Sequence, residues 1–211
     1  MSKKIMFSDK YMLTQAVLDG RKTMTRRIIK CPRTFRGEWV AGFNVHIRQS
    51  DKKIVDYPCM YDADGREFDG GEILPKYKIG EVVAIAQSYK DAGYDTHDTF
   101  GECRSIGSYP GWKNKRFVKA EYMPRHISIT NIKIERLQDI SDEDCIREGV
   151  VTGTDRDTNM PFYGIYDDVK DIGYPFYSPR EAFAALIDKI SGRGTWNNNL
   201  YTFAYEFELI D

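Results

Sequence analysis

The C-terminal run Tyr201-Thr202-Phe203-Ala204-Tyr205-Glu206-Phe207 constrains the fold more than any other stretch of this chain. Its aromatics recur at every second residue, the period of a β-strand, so one face carries rings that demand a core. A second run, Glu81-Val82-Val83-Ala84-Ile85-Ala86, reads as a central strand within Gly80 to Tyr89. His126 to Leu137 predicts another strand and Ile5 to Phe7 a short first one. Trp39 to Met60 reads as a hairpin. In it Val45 and Ile47 alternate with His46 and Arg48, and Ser50-Asp51 turns the chain. Asp62-Ala63-Asp64-Gly65 marks a further turn.

Helices are few. Ser8 or Asp9 caps one that runs to about Leu18, with Gly20 as its left-handed stop. Ser141 caps a second, which Ile140 staples against Cys145. It ends at Glu148, and Gly149 stops it. Ser178-Pro179-Arg180-Glu181 opens a third, whose buried stripe is Phe183, Leu186, Ile187 and Ile190. Asp91 to Lys119 reads as an ordered insertion or a lid, with Tyr94, Tyr109 and Trp112 either packing it or stacking on bases. Thr152 to Tyr177 is irregular. The expected architecture is one α+β domain over residues 1–211, a small mixed β-barrel with short helices.

Net charge is −1, so the chain as a whole is no electrostatic glove for nucleic acid. Charge is clustered instead. From Arg21 to Arg36 there are seven cations (Arg21, Lys22, Arg26, Arg27, Lys30, Arg33, Arg36) and no acid. Within that run, Gly20-Arg21-Lys22-Thr23-Met24-Thr25-Arg26-Arg27 suits an anion or a polar base edge, because guanidinium forks and hydroxyls match such oxygens. The same run also fits a solvated surface. Alternation predicts Met24 and Ile28 inward, with Thr23, Thr25 and Arg27 sharing a polar face. Lys22 and Thr25 are three apart. They reach one site only if Lys22 belongs to the turn after Gly20.

The four cysteines, Cys31, Cys59, Cys103 and Cys145, include no pair at CxxC spacing, which speaks for reduced thiols and against a zinc finger. His97 with Asp95, Asp98, Glu102 and Cys103 lacks recognised ligand spacing, so no metal and no cofactor is expected. The basic N-terminus is followed by no long apolar run. A cytoplasmic chain without signal peptide or membrane span is expected.

Several blocks occur in a telling order. Leu18-Asp19-Gly20-Arg21-Lys22-Thr23-Met24-Thr25-Arg26-Arg27 comes first, then Gly80-Glu81-Val82-Val83, Met123-Pro124-Arg125 and Glu135-Arg136-Leu137-Gln138-Asp139-Ile140-Ser141. Glu148-Gly149, a loop with Trp196, and the closing strand with Glu206 and Phe207 follow. In this the chain resembles the ASCH domain family, which has a PUA-like fold, and within it the longer version found in bacteriophages and prophages. The resemblance is weakest over two loop-rich insertions, about 31–73 and 90–122. It implies a barrel with a cleft for RNA, a nucleotide or a nucleobase, in the cytoplasm of a bacterial host.

Some small bacterial members are amidohydrolases that remove the acetyl group from N4-acetylcytidine. Their lysine, threonine and glutamate fall here on Lys22, Thr25 and Glu148. The implied chemistry has Thr25 as nucleophile, Lys22 as base and Glu148 as proton shuttle. Arg21, Arg26 and Arg27 would push the Lys22 pKa down, and the C-terminal helix dipole would push that of Glu148 up. The binding reading makes Lys22, Thr23, Thr25, Arg27 and Glu148 the cleft walls, with Arg21, Arg26, Gln87 and Arg125 contributing. Phage-type members carry an Arg-Glu pair late in the central strand where this chain has Ala86-Gln87, which leaves a third reading, an interaction module with a vestigial cleft. The bland readings of these positions also stand: a surface helix residue for Glu148, ordinary strand residues for Thr23 and Thr25.

Overall fold

The computed structural model describes residues 3–101, 104–167, 171–172 and 176–211. Glu102 and Cys103 of the His97 group, and parts of the Thr152 to Tyr177 stretch, lie outside them.

Strand β1 (Lys4–Ile5) leads into a wide turn, where the Leu13 amide donates to Ser8 O at 2.9 Å and Met12 takes φ 53°. Helix α1 is Leu13–Leu18, so it starts later than a Ser8 or Asp9 cap would place it. The Asp9 carboxylate accepts from Thr14 Oγ1 and Lys115 Nζ, both at 2.6 Å, and so does not cap the helix. Gly20 stops the helix at φ 71°, as its position demands. Lys22 then lies in the turn, ahead of β2 (Met24–Ile28).

The first insertion holds a small hairpin, β3 (Thr34–Phe35) with β4 (Glu38–Trp39), and a three-stranded sheet of β5 (Gly42–Asn44), β6 (Cys59–Tyr61) and β7 (Glu67–Glu72). The expected hairpin turn is present, but beyond β5 its arms form no ladder and are joined by a single Ile47–Ile54 bridge among the described residues. At the next turn Asp62 Oδ1 accepts from the amides of Asp64 and Arg66, both at 2.9 Å.

Strand β8 (Val82–Ile85) precedes the second insertion, four 3₁₀ turns between Ile106 and Tyr122. That insertion has its own small core of Tyr89, Ile106, Val118 and Met123, set against Ala84 and Ala86. Tyr94, Tyr109 and Trp112 pack around it, with Phe100 stacked on Tyr122 at 3.7 Å, so these rings are packing and not base platforms.

Strand β9 (His126–Arg136) is followed by α2 (Asp142–Arg147), whose Ser141 cap accepts the Asp144 amide at 3.1 Å. The irregular stretch contains two short hairpins, β10 (Val151–Thr154) with β11 (Pro161–Gly164), and β12 (Tyr166–Asp167) with β13 (Asp171–Ile172). Helix α3 (Pro179–Ser191) begins at its Ser178 cap and buries Phe183, Leu186 and Ile187. Ile190 is 40% exposed, at the frayed end of the stripe. A single turn, α4 (Thr195–Asn198), leads to β14 (Tyr201–Leu209).

The main sheet runs β1-β8-β9-β14-β2, with β1 parallel to β8 and the other pairs antiparallel. Its core face carries Phe203, Tyr205 and Phe207 against Phe7, Ile127, Leu137, Phe183 and Leu186. The fold is therefore α+β, with several sheets, few helices and no closed barrel. No ladder joins the edges β1 and β2 among the described residues. A side chain spans the seam instead: Arg27 Nη2 of β2 donates to Met6 O, just past β1, at 2.8 Å. No helix among the described residues is long and apolar enough to cross a membrane.

Candidate functional site

The seam between the sheet edges is where the sequence-derived cluster assembles. Pairing registers Thr25 with Tyr205 and Arg27 with Phe203, so both lie on the core face. Met24 and Arg26 lie on the other face, with Glu206 and Ala204. The two-residue alternation of β2 is as the sequence predicts and Met24 is buried as expected, but the other face meets the core rings of β14 and is not a polar surface at Thr25. Thr25 is buried at 4% exposure, while Thr23 and Arg27 are half-buried. Ile29, at the end of the strand, is what joins this side to the core.

Lys22 is buried, and its Nζ donates to Glu148 O at 2.6 Å and to Glu148 Oε2 at 2.7 Å. The other Glu148 oxygen accepts from Arg26 Nη1 at 3.1 Å. Arg26, its side chain wholly buried, also donates through Nε to Glu135 at 2.8 Å and through Nη2 to Asp144 at 3.1 Å. A carboxylate facing two cations and a guanidinium facing three carboxylates make a saturated network. Helix α2 supplies two of the acids because its C-terminal end abuts the β2 edge: the Thr23 amide donates to Arg147 O at 3.0 Å.

The Phe7 ring completes the setting. Lys22 Nζ and Arg27 Cζ each lie 5.8 Å from its centroid, so both cations flank one ring. The shared ring brings Lys22 to Arg27, which lies on the same face of β2 as Thr25.

The electrostatics differ from expectation. Burial is the main cause that lowers the Lys22 pKa. The Glu148 carboxylate opposes it, and Arg27 and Arg26 add little. For Glu148, burial pulls the pKa up, but Lys22 and Arg26 outweigh it and hold the group below the usual carboxylate range. The helix-dipole expectation fails because two direct ion pairs exceed a dipole effect of roughly 0.3–1 kcal/mol.

Other expected site residues are elsewhere or otherwise engaged. Arg21 is exposed and pairs with Asp19 at 2.9 Å. Thr23 Oγ1 accepts from Arg147 Nε at 3.1 Å, a structural role. Arg26 is locked by carboxylates and is not a free anion binder. Arg125 is exposed, and no described contact joins it to the Lys22–Glu148 pair. Gln87 is buried beside a cavity of about 430 Å³ that Asp9, Met12, Thr14, Gln15, Leu18 and Asp91 also line. Its Nε2 donates to Asp91 O at 3.4 Å, and among the described residues its buried Oε1 has no hydrogen-bond partner. Cys145 is fully buried, and burial pushes its thiol up to about 12, so it is an inert core residue.

Sequence reading missed Glu135, Asp144, Phe7 and Lys115. Asp144 is legible only as a helix-start residue, and Glu135 only as part of a strand. Lys115 comes from the second insertion to bind Phe7 O, Asp9 and Thr14. No local pattern signals those contacts.

Two expected outcomes arise here. Gly149 holds φ 107°, and a Cβ there would sit 2.8 Å from Leu13 Cδ2 and 3.6 Å from Lys22 Cδ. Gly149→Ala should therefore cost roughly 1–3 kcal/mol in chemical unfolding, from backbone strain and overpacking together. Glu206 accepts from Lys133 and Arg147, at 2.7 and 3.0 Å, and these hydrogen bonds, against burial, hold its pKa at about 2. Its stabilisation is present above the ordinary value of 4.5 and is lost as pH falls towards 2. Wild type should lose roughly 2 kcal/mol more than Glu206→Gln across that window, after a discount for the half-exposed partners.

Comparison of the chain with protein-family models, curated proteins and solved structures finds no match.

Proposed function

We propose that this chain is a PUA-like domain of the ASCH type in which Lys22, Thr25 and Glu148 hydrolyse a small acylated amide, with N4-acetylcytidine as the type substrate. The observation that carries the reading is the buried Lys22–Glu148 pair at 2.7 Å, formed by residues 126 positions apart. The amine and the carboxylate are within proton-transfer reach, and Lys22 shares the Phe7 ring with Arg27, which lies on the same face of β2 as Thr25.

In the reaction, Lys22 passes its proton to Glu148 and accepts that of Thr25 Oγ1 as the oxygen attacks the acyl carbon. The Lys22 ammonium then protonates the departing amine, and water releases the acyl group from Thr25 by the same relay. Arg26 keeps Glu148 in place throughout.

A binding-only reading draws on Lys30, Arg33 and Arg36, which remain exposed. It is weaker, because Lys22 and Arg26 are neutralised within the protein and Arg21 by Asp19.

The test is incubation with N4-acetylcytidine followed by chromatography. Cytidine should appear, and Lys22→Ala and Thr25→Val should each slow its release by about 10²–10⁴-fold. Folded protein without turnover, together with RNA affinity at low salt that Arg21→Glu plus Arg27→Glu abolishes, would replace this reading with the binding one.

A further inference from the structure

A cleft of about 1170 Å³ belongs to a different part of the molecule. Its floor is β9 at Ile132 to Glu135. Its opposite wall comes from the first insertion and the segment before β8, including Val55, Tyr57, Leu74 and Ile79. These four are exposed, Leu74 and Ile79 at 64% each, which is unusual for large apolar side chains gathered around one concavity.

The floor is also an open strand edge. Strand β8 pairs with β9 only at His126 to Ser128, and its last backbone contacts are with Ile129. Strand β14 covers the opposite side of β9 along its whole length, with a bulge that leaves Thr130 unpaired. The ladder phase settles which groups are left. Phe207 N donates to Thr23 O and Ile29 N to Tyr201 O, so odd residues of β14 point to β2 and even ones to β9. Glu206, Ala204 and Thr202 therefore bond Asn131, Lys133 and Glu135. Ile132 and Ile134 direct their backbone groups into the cleft. The Ile132 amide is taken by the Asn131 side chain at 2.9 Å. Ile132 O and both backbone groups of Ile134 have no backbone partner among the described residues.

We propose that this cleft is a docking site for an extended peptide of a partner protein, which adds to the open edge of β9. An exposed edge is a template for one more strand. Alternate side chains of that strand would enter the apolar wall, and only main-chain groups at strand spacing match Ile132 and Ile134. Charge indicates the flank. Glu135 is held by Arg26 and Lys133 by Glu206, which leaves Lys52, Lys53 and Lys78 against Asp56 and Asp139. The rim therefore favours a peptide with acidic residues beside its apolar run. The proposal is independent of the chemistry at Lys22.

The experiment uses the full chain and a fluorescent synthetic peptide that alternates valine with threonine between glutamate-rich ends. Anisotropy should show saturable binding, weakened about tenfold or more when the peptide's edge-pairing amides are N-methylated, the expected loss for two main-chain hydrogen bonds. Ile79→Asp and Lys53→Glu, both at exposed positions, should each weaken it as well, while Arg104→Glu, exposed and outside the cleft, should not. Absence of binding, or equal binding of the N-methylated peptide, would overturn the proposal. So would concentration-dependent self-association that Ile79→Asp abolishes, because the edge would then serve a second copy of this chain.

Discussion

Glu148→Ala is expected to lower the unfolding free energy by about 3–5 kcal/mol and to abolish the proposed amide hydrolysis. The substitution leaves the Lys22 ammonium buried with only the residue-148 carbonyl as acceptor, and removes one of three carboxylates from Arg26. Loss of one partner from a buried pair costs more than the pair contributes, because the remaining charge keeps its desolvation penalty. Two controls separate charge from packing. Glu148→Gln keeps the shape and an acceptor for Lys22, so its loss should be smaller. The double variant Lys22→Met with Glu148→Leu removes both charges and should recover most of the stability, with no activity. Denaturant midpoints at neutral pH decide. A double variant as unstable as Glu148→Ala would mean that packing, not an orphaned charge, dominates.

Arg26→Met is expected to have an effect of similar size but opposite charge logic. It leaves Glu135, Asp144 and Glu148 together, with only Lys22 and Arg147 to offset them. The expected loss at neutral pH is about 3–5 kcal/mol. Its signature is its pH dependence. The folded-state pKa of Glu148 is depressed partly by Arg26, so this stabilisation is full above the ordinary value of 4.5 and is lost as pH falls through the lower folded value. The variant lacks that contribution from the outset. Urea unfolding of both proteins at about pH 7 and about pH 3 should show the gap between them narrowing in acid. A gap that stays constant would assign the loss to the aliphatic packing of the arginine stem.

The two substitutions bear on function in different ways. The polar partners of the Arg26 side chain among the described residues are all carboxylates, so Arg26→Lys, which retains one cation, should preserve some of the proposed hydrolysis. In the proposed reaction Glu148 relays a proton, so Glu148→Gln should not. This contrast tests whether the network is a scaffold for the lysine or part of the reaction.

What could be read from the chain is what local chemistry enforces. The alternating rings of β14, the Ser141 and Ser178 caps, and the stops at Gly20 and Gly149 depend on neighbours within a few residues, and each is where the sequence puts it. The approach of Lys22 to Glu148 was legible only through resemblance, since no propensity links residues 126 positions apart. Met24 is buried as its place in the alternation predicts, but the burial of Thr25 and Arg26 was not legible, for a physical reason. Threonine and arginine count as polar, yet β2 is an edge strand whose register with β14 turns Thr25 and Arg27 towards the core, while α2 and its acids cover Arg26 on the other side. Local pattern cannot rank two faces when a buried ion network makes the charged one as buried as the apolar one.

The sequence by itself determined the elements, their caps and the presence of a cation-rich turn. Only the tertiary structure decided which of those cations are consumed internally, which strand edge stays open, and that Glu148 is an anchored anion. Those outcomes depend on burial and on the sum of charges brought together from distant positions, and both exist only once the sheet has formed.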